Sequence, residues 1–231
     1  MMPVAILAGG VATRLGPITQ TIPKALVEVA GAPFIAHQLA LLRAAGIRRA
    51  VLCVAHLADQ IEAVVGDGRG FGVEVAYSHD GGTRLGTGGA LRRALPLLGD
   101  RFLVLYGDSY LRCDYAAIGQ AFAASGKLGL MTVYRNDGRF DRSNVSFREG
   151  RILRYDKTPG LSDMTHIDYG LGALAAGALA DRPVGPLDLA AVYQDLLARD
   201  QLAGYEVHER FYEIGSPPGL EETRRLLSEE P

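Results

Sequence analysis

Short, continuously apolar runs of β-forming residues alternate along this chain with longer stretches of helical periodicity, and few folds satisfy that alternation. The runs lie at Val4 to Ala8, Ala50 to Val54, Val73 to Tyr77 and Phe102 to Tyr106. Between the first two, Phe34 to Ala45 places Ile35, Leu39 and Leu42 on one face and stops at Gly46, a residue suited to the position just past a helix end. Ile61, Val64 and Val65 form a second apolar face before Gly66; Leu91, Ala94, Leu95 and Leu98 form a third after the Gly88-Gly89 pair. Strands and helices in this order predict βαβ units. Unbroken apolar strands require helices on both faces of a mostly parallel sheet, so the expected fold is a doubly wound, Rossmann-like α/β sheet.

Beyond Leu128 the texture changes. Leu128 to Tyr134, Val145 to Arg148 and Ile152 to Tyr155 read as short strands joined by polar turns, which predicts a small antiparallel or mixed extension. Helices are expected over Leu187 to Arg199 and Gly219 to Leu227. With 231 residues, 48% of them apolar, the chain suits one domain over 1–231 that buries roughly 70% of its unfolded surface.

Charge narrows the partners. A net charge of −2, with no run of Lys or Arg long enough to form a patch, argues against a nucleic-acid or membrane surface, so anionic ligands must be held locally. Cys53 and Cys113 suggest neither a disulfide framework nor a metal cluster, and His37, His56, His79, His166 and His208 lack metal-ligand spacing. The run from Val4 to Ala8 is too short for a signal segment and has no basic stretch before it; it is expected to be a first strand in a cytoplasmic protein.

In open α/β sheets ligands bind outside the carboxyl ends of the strands, where strand order reverses. Two such ends carry chemistry. After the first run, Gly9 and Gly10 let backbone approach a phosphate and offer consecutive amides as an anion nest, while Arg14 and Lys24 add fixed positive charge. Read alone, the same residues could be a flexible turn with two solvated bases; the glycine spacing fits neither the dinucleotide fingerprint nor a P-loop. After the fourth run, Gly107 and Asp108 project a carboxylate into the crevice. A hard oxygen there suits Mg²⁺ shared with substrate phosphates, and in isolation it would equally suit a turn cap.

The whole stretch from Leu7 to Val29, Leu-Ala-Gly-Gly-x3-Arg-Leu-x-Pro-x-Thr-x3-Pro-Lys-Ala-Leu-Val-x-Val, resembles the signature of the sugar-1-phosphate nucleotidyltransferases. The resemblance continues through Gly31 to Ile35, Leu85-Gly86-Thr87-Gly88-Gly89-Ala90, Gly107-Asp108-Ser109 and Glu213-Ile214-Gly215-Ser216-Pro217, and more loosely at Gly66-Asp67-Gly68. It implies the nucleotide-diphospho-sugar transferase fold and transfer of a nucleoside monophosphate from an NTP to a sugar 1-phosphate, releasing pyrophosphate. Leu7, Ala8, Gly9 and Gly10 would belong to the nucleotide site, Gly9, Gly10 and Arg14 holding the β and γ phosphates and Lys24 facing the α phosphate. Gly88 and Gly89 would flank the base and ribose. Asp108 and Glu213 would bind Mg²⁺; Glu213 replaces the family's usual aspartate and could instead anchor a loop.

For the acceptor, the resemblance implies Lys157, in a variant of Glu-Lys-Pro, together with Asp168 and Gly170, where the family often has Asn-Ala-Gly. The forms Gly86 to Ala90, Ser143-Asn144-Val145 and Ile167 to Leu171 look most like heptose 1-phosphate guanylyltransferases, with N-acetylmuramate 1-phosphate uridylyltransferases the nearest competitors. No C-terminal β-helix domain is expected, and the oligomer would be a monomer or small homo-oligomer. Two other readings stay open on the same residues: a catalytically silent nucleotide-sugar sensor, and a transferase for a non-sugar phosphate.

Overall fold

A computed structural model describes residues 1–10, 15–16, 21–158 and 164–229. Four parallel strands form its centre: β1 (Val4–Leu7), β4 (Arg49–Val54), β5 (Glu74–His79) and β6 (Arg101–Tyr106), in the order β6-β1-β4-β5. Their side chains alternate strictly between two cores. Val4, Ile6, Leu52, Leu103 and Leu105 face one, against the helices α1 (Phe34–Ala44), α2 (Ala58–Val65) and α4 (Tyr115–Ser125). Ala5, Val51, Cys53, Phe102 and Val104 face the other, against α3 (Gly86–Leu98) and α5 (Leu189–Ala198). Helices on both faces explain why the strands read as unbroken apolar runs.

The end of α1 follows from its residues. Gly46 takes φ +82° and donates to Arg43 O, and Ile47 N–H reaches Leu42 O, the pair of bonds that closes a helix through a left-handed glycine. Two readings of the helix faces need correction. Val64 is 44% exposed, because α2 turns only Ala58, Ile61 and Val65 inward. The third helix begins at Gly86, so Gly88 and Gly89 lie inside its first turn rather than before it, while Leu95, half-buried, packs with Leu91, Ala94 and Leu98 as expected.

The expected extension is present and larger than the sequence suggests. β11 (His166–Ala175) runs antiparallel to β6 on one edge and to β8 (Gly129–Arg135) on the other. β12 (Leu202–Val207) adds in parallel beyond β8, and the hairpin of β9 (Val145–Arg148) and β10 (Arg151–Tyr155) pairs beside the start of β11. Between Asp168 and Gly172 the register of β11 against β8 shifts, and Gly170 there has φ +95°. Such an irregularity bends a strand and re-aims its side chains.

Two small ribbons complete the site side. β2 (Glu28–Val29) pairs with β3 (Ala32–Pro33), and β7 (Ser109–Leu111) pairs with β13 (Phe211–Glu213), which leads into α6 (Pro217–Glu229). A third, smaller core of Leu15, Val27, Val29, Phe34, Tyr110, Ile214, Leu220 and Leu227 packs them together. No described helix is long and apolar enough to cross a membrane.

Candidate active site

Strand order reverses at β1: the chain proceeds from β1 to β4 and β5 on one side, then returns to β6 on the other. The ends of β1 and β6 therefore open a crevice between them. Gly107 N–H donates to Leu7 O, and a Cβ on Gly107 would collide with that same carbonyl, so only glycine lets the two strand ends approach this closely. A cavity of about 310 Å³ lies above, lined by Leu7, Ala8, Gly9, Gly10, Lys24, Ala25, Tyr106, Gly107 and Asp108, with Cys53, Asp80, Arg84, Gly86, Thr87 and Ala90 on the far wall.

Lys24 enters from the start of a short 3₁₀ turn whose neighbour Ala25 is buried and whose backbone is tied by Leu26 N to Pro23 O and Val27 N to Lys24 O. Its ammonium reaches Asp108 Oδ2 at 2.7 Å, joining residues 84 apart in sequence. Gln38 of α1 fixes the turn that carries Asp108: its Nε2 donates to Ser109 O at 2.8 Å and to Tyr106 O at 3.3 Å. A fully buried glutamine on a helix face otherwise built of Ile35, Leu39 and Leu42 is a signal that could have singled it out.

Glu213 stands beside this pair. Ile214 N–H donates to Asp108 O at 2.9 Å, and the β7–β13 ribbon sets Glu213 opposite Ser109. The Glu213 carboxylate accepts from Gly215 N–H on Oε2 and from the Ser216 hydroxyl on Oε1. The point where Gly215 would carry a Cβ is 2.6 Å from Glu213 Oε2, 2.9 Å from Lys24 Nζ and 3.0 Å from Asp108 Oδ2. Three charged groups thus converge on space that a glycine leaves free. Among the described residues no cluster of three or more His, Cys, Asp or Glu exists that could enclose a metal unaided. Two carboxylates with substrate oxygens is the arrangement in which Mg²⁺ is commonly held, and Asp108 and Glu213 fit it.

At the other end of the crevice Tyr106 links to the acceptor candidates. Its hydroxyl and that of Tyr155 both donate to Asp168 Oδ2, at 3.3 and 3.1 Å, while Gly170 N–H donates to Oδ1. Asn144 Oδ1 accepts from Asp168 N–H. Burial pushes the Asp168 carboxyl up; the positive field of Lys157 and these hydrogen bonds pull against it. Lys157 is exposed, with Nζ 5.8 Å from the centre of the Tyr155 ring, on a turn pinned by Arg154 and Thr158 to Asp156. The irregularity in β11 makes the grouping, and Ser109 would obstruct any Cβ on Gly170.

Not every expected residue lines the crevice. Gly88 and Gly89 donate their amides to Leu187 O, and a Cβ on either would strike segment 185–188, so their smallness serves the packing of α3 on the approach to α5. Gly86, Thr87 and Ala90 face the cavity instead. Arg14 lies outside the described residues. Cys53 lines the cavity, but burial and, secondarily, the charge of Asp80 push its thiol up to about 12, so no thiolate nucleophile is at hand near neutral pH.

A doubly wound α/β protein with its crevice at the strand switch point, two consecutive glycines on one wall and a lysine–carboxylate pair on the floor, is the class these features define. The chain belongs to the nucleotidyl transferase family, which matches residues 4–140. It is 43% identical over 120 residues to N-acetylmuramate alpha-1-phosphate uridylyltransferase of Neisseria meningitidis, an alignment covering 52% of each chain. It is 30% identical over 185 residues to UTP--glucose-1-phosphate uridylyltransferase of Synechocystis sp., covering 74% of this chain and 48% of that one. The chain thus spans about half the length of these two relatives. A second N-acetylmuramate alpha-1-phosphate uridylyltransferase, from Caulobacter vibrioides, is 28% identical over 92% of this chain and 91% of its own. Among solved structures, HddC of Yersinia pseudotuberculosis complexed with GMP-PN superposes with a TM-score of 0.81 at 22% identity, covering 98% of this chain and 100% of that one.

Proposed function

We propose that this chain joins a nucleoside triphosphate to a sugar 1-phosphate, giving a nucleotide sugar and pyrophosphate. The observation that carries this reading is the Lys24–Asp108 pair on the floor of a crevice lined by the Gly9-Gly10 backbone. An oxygen of the sugar phosphate attacks the α phosphorus, the bond from that phosphorus to the bridging oxygen breaks, and pyrophosphate leaves from the opposite side. A phosphate monoester is already anionic near neutral pH, so the residues need only position two anions and offset their charge. Gly9 and Gly10 present amides to the nucleotide phosphates, Lys24 moves toward the α phosphate, and Lys157, beside Asp168 and Tyr155, offers the second ammonium to the sugar phosphate. Asp108 and Glu213 would hold Mg²⁺, which supplies charge neutralisation at phosphate oxygens.

Within this class we favour guanylyl transfer to a heptose 1-phosphate, on the forms Gly86 to Ala90, Ser143 to Val145 and Ile167 to Leu171. The two N-acetylmuramate relatives favour a second reading, uridylyl transfer to that sugar phosphate. One experiment separates them: pyrophosphate release with Mg²⁺ across GTP, UTP, CTP, ATP and dTTP against heptose, mannose, glucose and N-acetylmuramate 1-phosphates. Release is expected for one pairing and should fall at least about 10²-fold in Asp108→Ala, with circular dichroism unchanged. Full turnover in a folded Asp108→Ala protein would remove Asp108 from the mechanism.

A further inference from the structure

We propose that Lys24 guards the metal position, so that a divalent cation is held poorly by the free protein and enters together with a nucleotide. This rests on the transferase reading and concerns the order in which its components assemble. In the structure the Lys24 ammonium, and no other described cation, pairs with Asp108, at 2.7 Å. The same ammonium, Asp108 Oδ2 and Glu213 Oε2 all lie within 3.0 Å of the point above Gly215. A cation binding both carboxylates must therefore approach a positive charge already bonded to one of them and close to the other, at a spacing where like charges repel strongly in a part-buried setting. The Lys24 side chain is only 15% exposed, so solvent does little to screen it.

Lys24 cannot simply retire along its own chain. Pro23 and the 3₁₀ turn fix its backbone, and buried Ala25 anchors the next position, leaving the four-carbon stem as the moving part. What draws the ammonium from Asp108 is a competing anion, and the cavity that Lys24 lines together with Gly9 and Gly10 is where the nucleotide phosphates would supply it. Nucleotide binding then frees Asp108 as its phosphate oxygens complete the metal's ligand set. Glu213 is held ready throughout by Gly215 N–H and the Ser216 hydroxyl. Lys24 thereby serves twice: as a stand-in cation in the free protein and as a phosphate ligand in the loaded one.

The test is direct binding of Mn²⁺, an oxygen-ligated paramagnetic probe, followed by the loss of its free electron-resonance signal. Wild type, Lys24→Met and the double variant Lys24→Met/Asp108→Ala are compared without nucleotide, and wild type again with GTP. Lys24→Met is expected to bind Mn²⁺ about tenfold more tightly than wild type or better, a gain of function that unfolding cannot mimic and that corresponds to about 1.4 kcal/mol. The gain should vanish in the double variant, and wild type with GTP should remove more free Mn²⁺ than the same GTP does without protein. Equal Mn²⁺ affinity in wild type and Lys24→Met overturns the proposal, as does a gain that persists without Asp108. Failure of wild type to release pyrophosphate with any pairing would count against the transferase reading instead, leaving the competition between Lys24 and the metal to be judged by Mn²⁺ alone.

Discussion

Asp168 receives two tyrosine hydroxyls and a backbone amide, yet burial still raises its carboxyl from the ordinary aspartate value. A carboxyl whose folded value exceeds its unfolded value holds its proton more tightly in the folded state. Its contribution to stability is thus complete below the unfolded value, about 3.9, and is lost as pH rises through the folded value. Relative to Asp168→Asn, the wild-type melting temperature should therefore decline as pH rises upward from about 4; parallel curves for the two proteins would show that burial costs this carboxylate nothing. The charged residues at the floor were legible in the sequence because Lys24, Asp108 and Glu213 belong to a long signature. The Tyr106–Asp168–Tyr155 grouping was not, since the strand irregularity that assembles it leaves only a glycine, Gly170, as its trace.

At the scale of elements, the crevice exists because β1 and β6 end side by side with Gly107 between them. A Gly107→Ala substitution drives a methyl into the Leu7 carbonyl and the Ala8 backbone, atoms that cannot move without parting the strands. We expect a loss of about 1–3 kcal/mol in urea unfolding, together with weakened nucleotide binding. Unchanged stability would mean the strand ends are more loosely joined than the register indicates. The four parallel strands and five of the six described helices, all but α4, were readable to within a few residues because their apolar periodicity is strong. β11 escaped notice: His166 to Ala175 contains Gly170 and Gly172 and little β-branched bulk, and it becomes a strand because β6 and β8 flank it on both edges. The β7–β13 ribbon escaped for another reason, since three-residue strands 100 residues apart in sequence leave no periodic signal.

For the whole molecule, a ligand bound only by the folded state adds to stability by mass action. A nucleotide with Mg²⁺ at about 100 times its Kd should stabilise the fold by about 2.7 kcal/mol. In a chain of this size that is a rise of roughly 5–10 °C in Tm by differential scanning, smaller for nucleotide without metal. No shift with any nucleotide would dissociate the crevice from nucleotide binding. The crevice is also assembled from distant parts of the chain, Leu7 to Gly10 and Lys24 on one side, Glu213 to Ser216 on the other. During synthesis the four parallel strands all emerge more than 100 residues before β13, an interval of about 5–20 s at ordinary elongation rates. On the proposed activity, a chain halted or clipped anywhere in that interval lacks Glu213, the second carboxylate proposed to hold the metal.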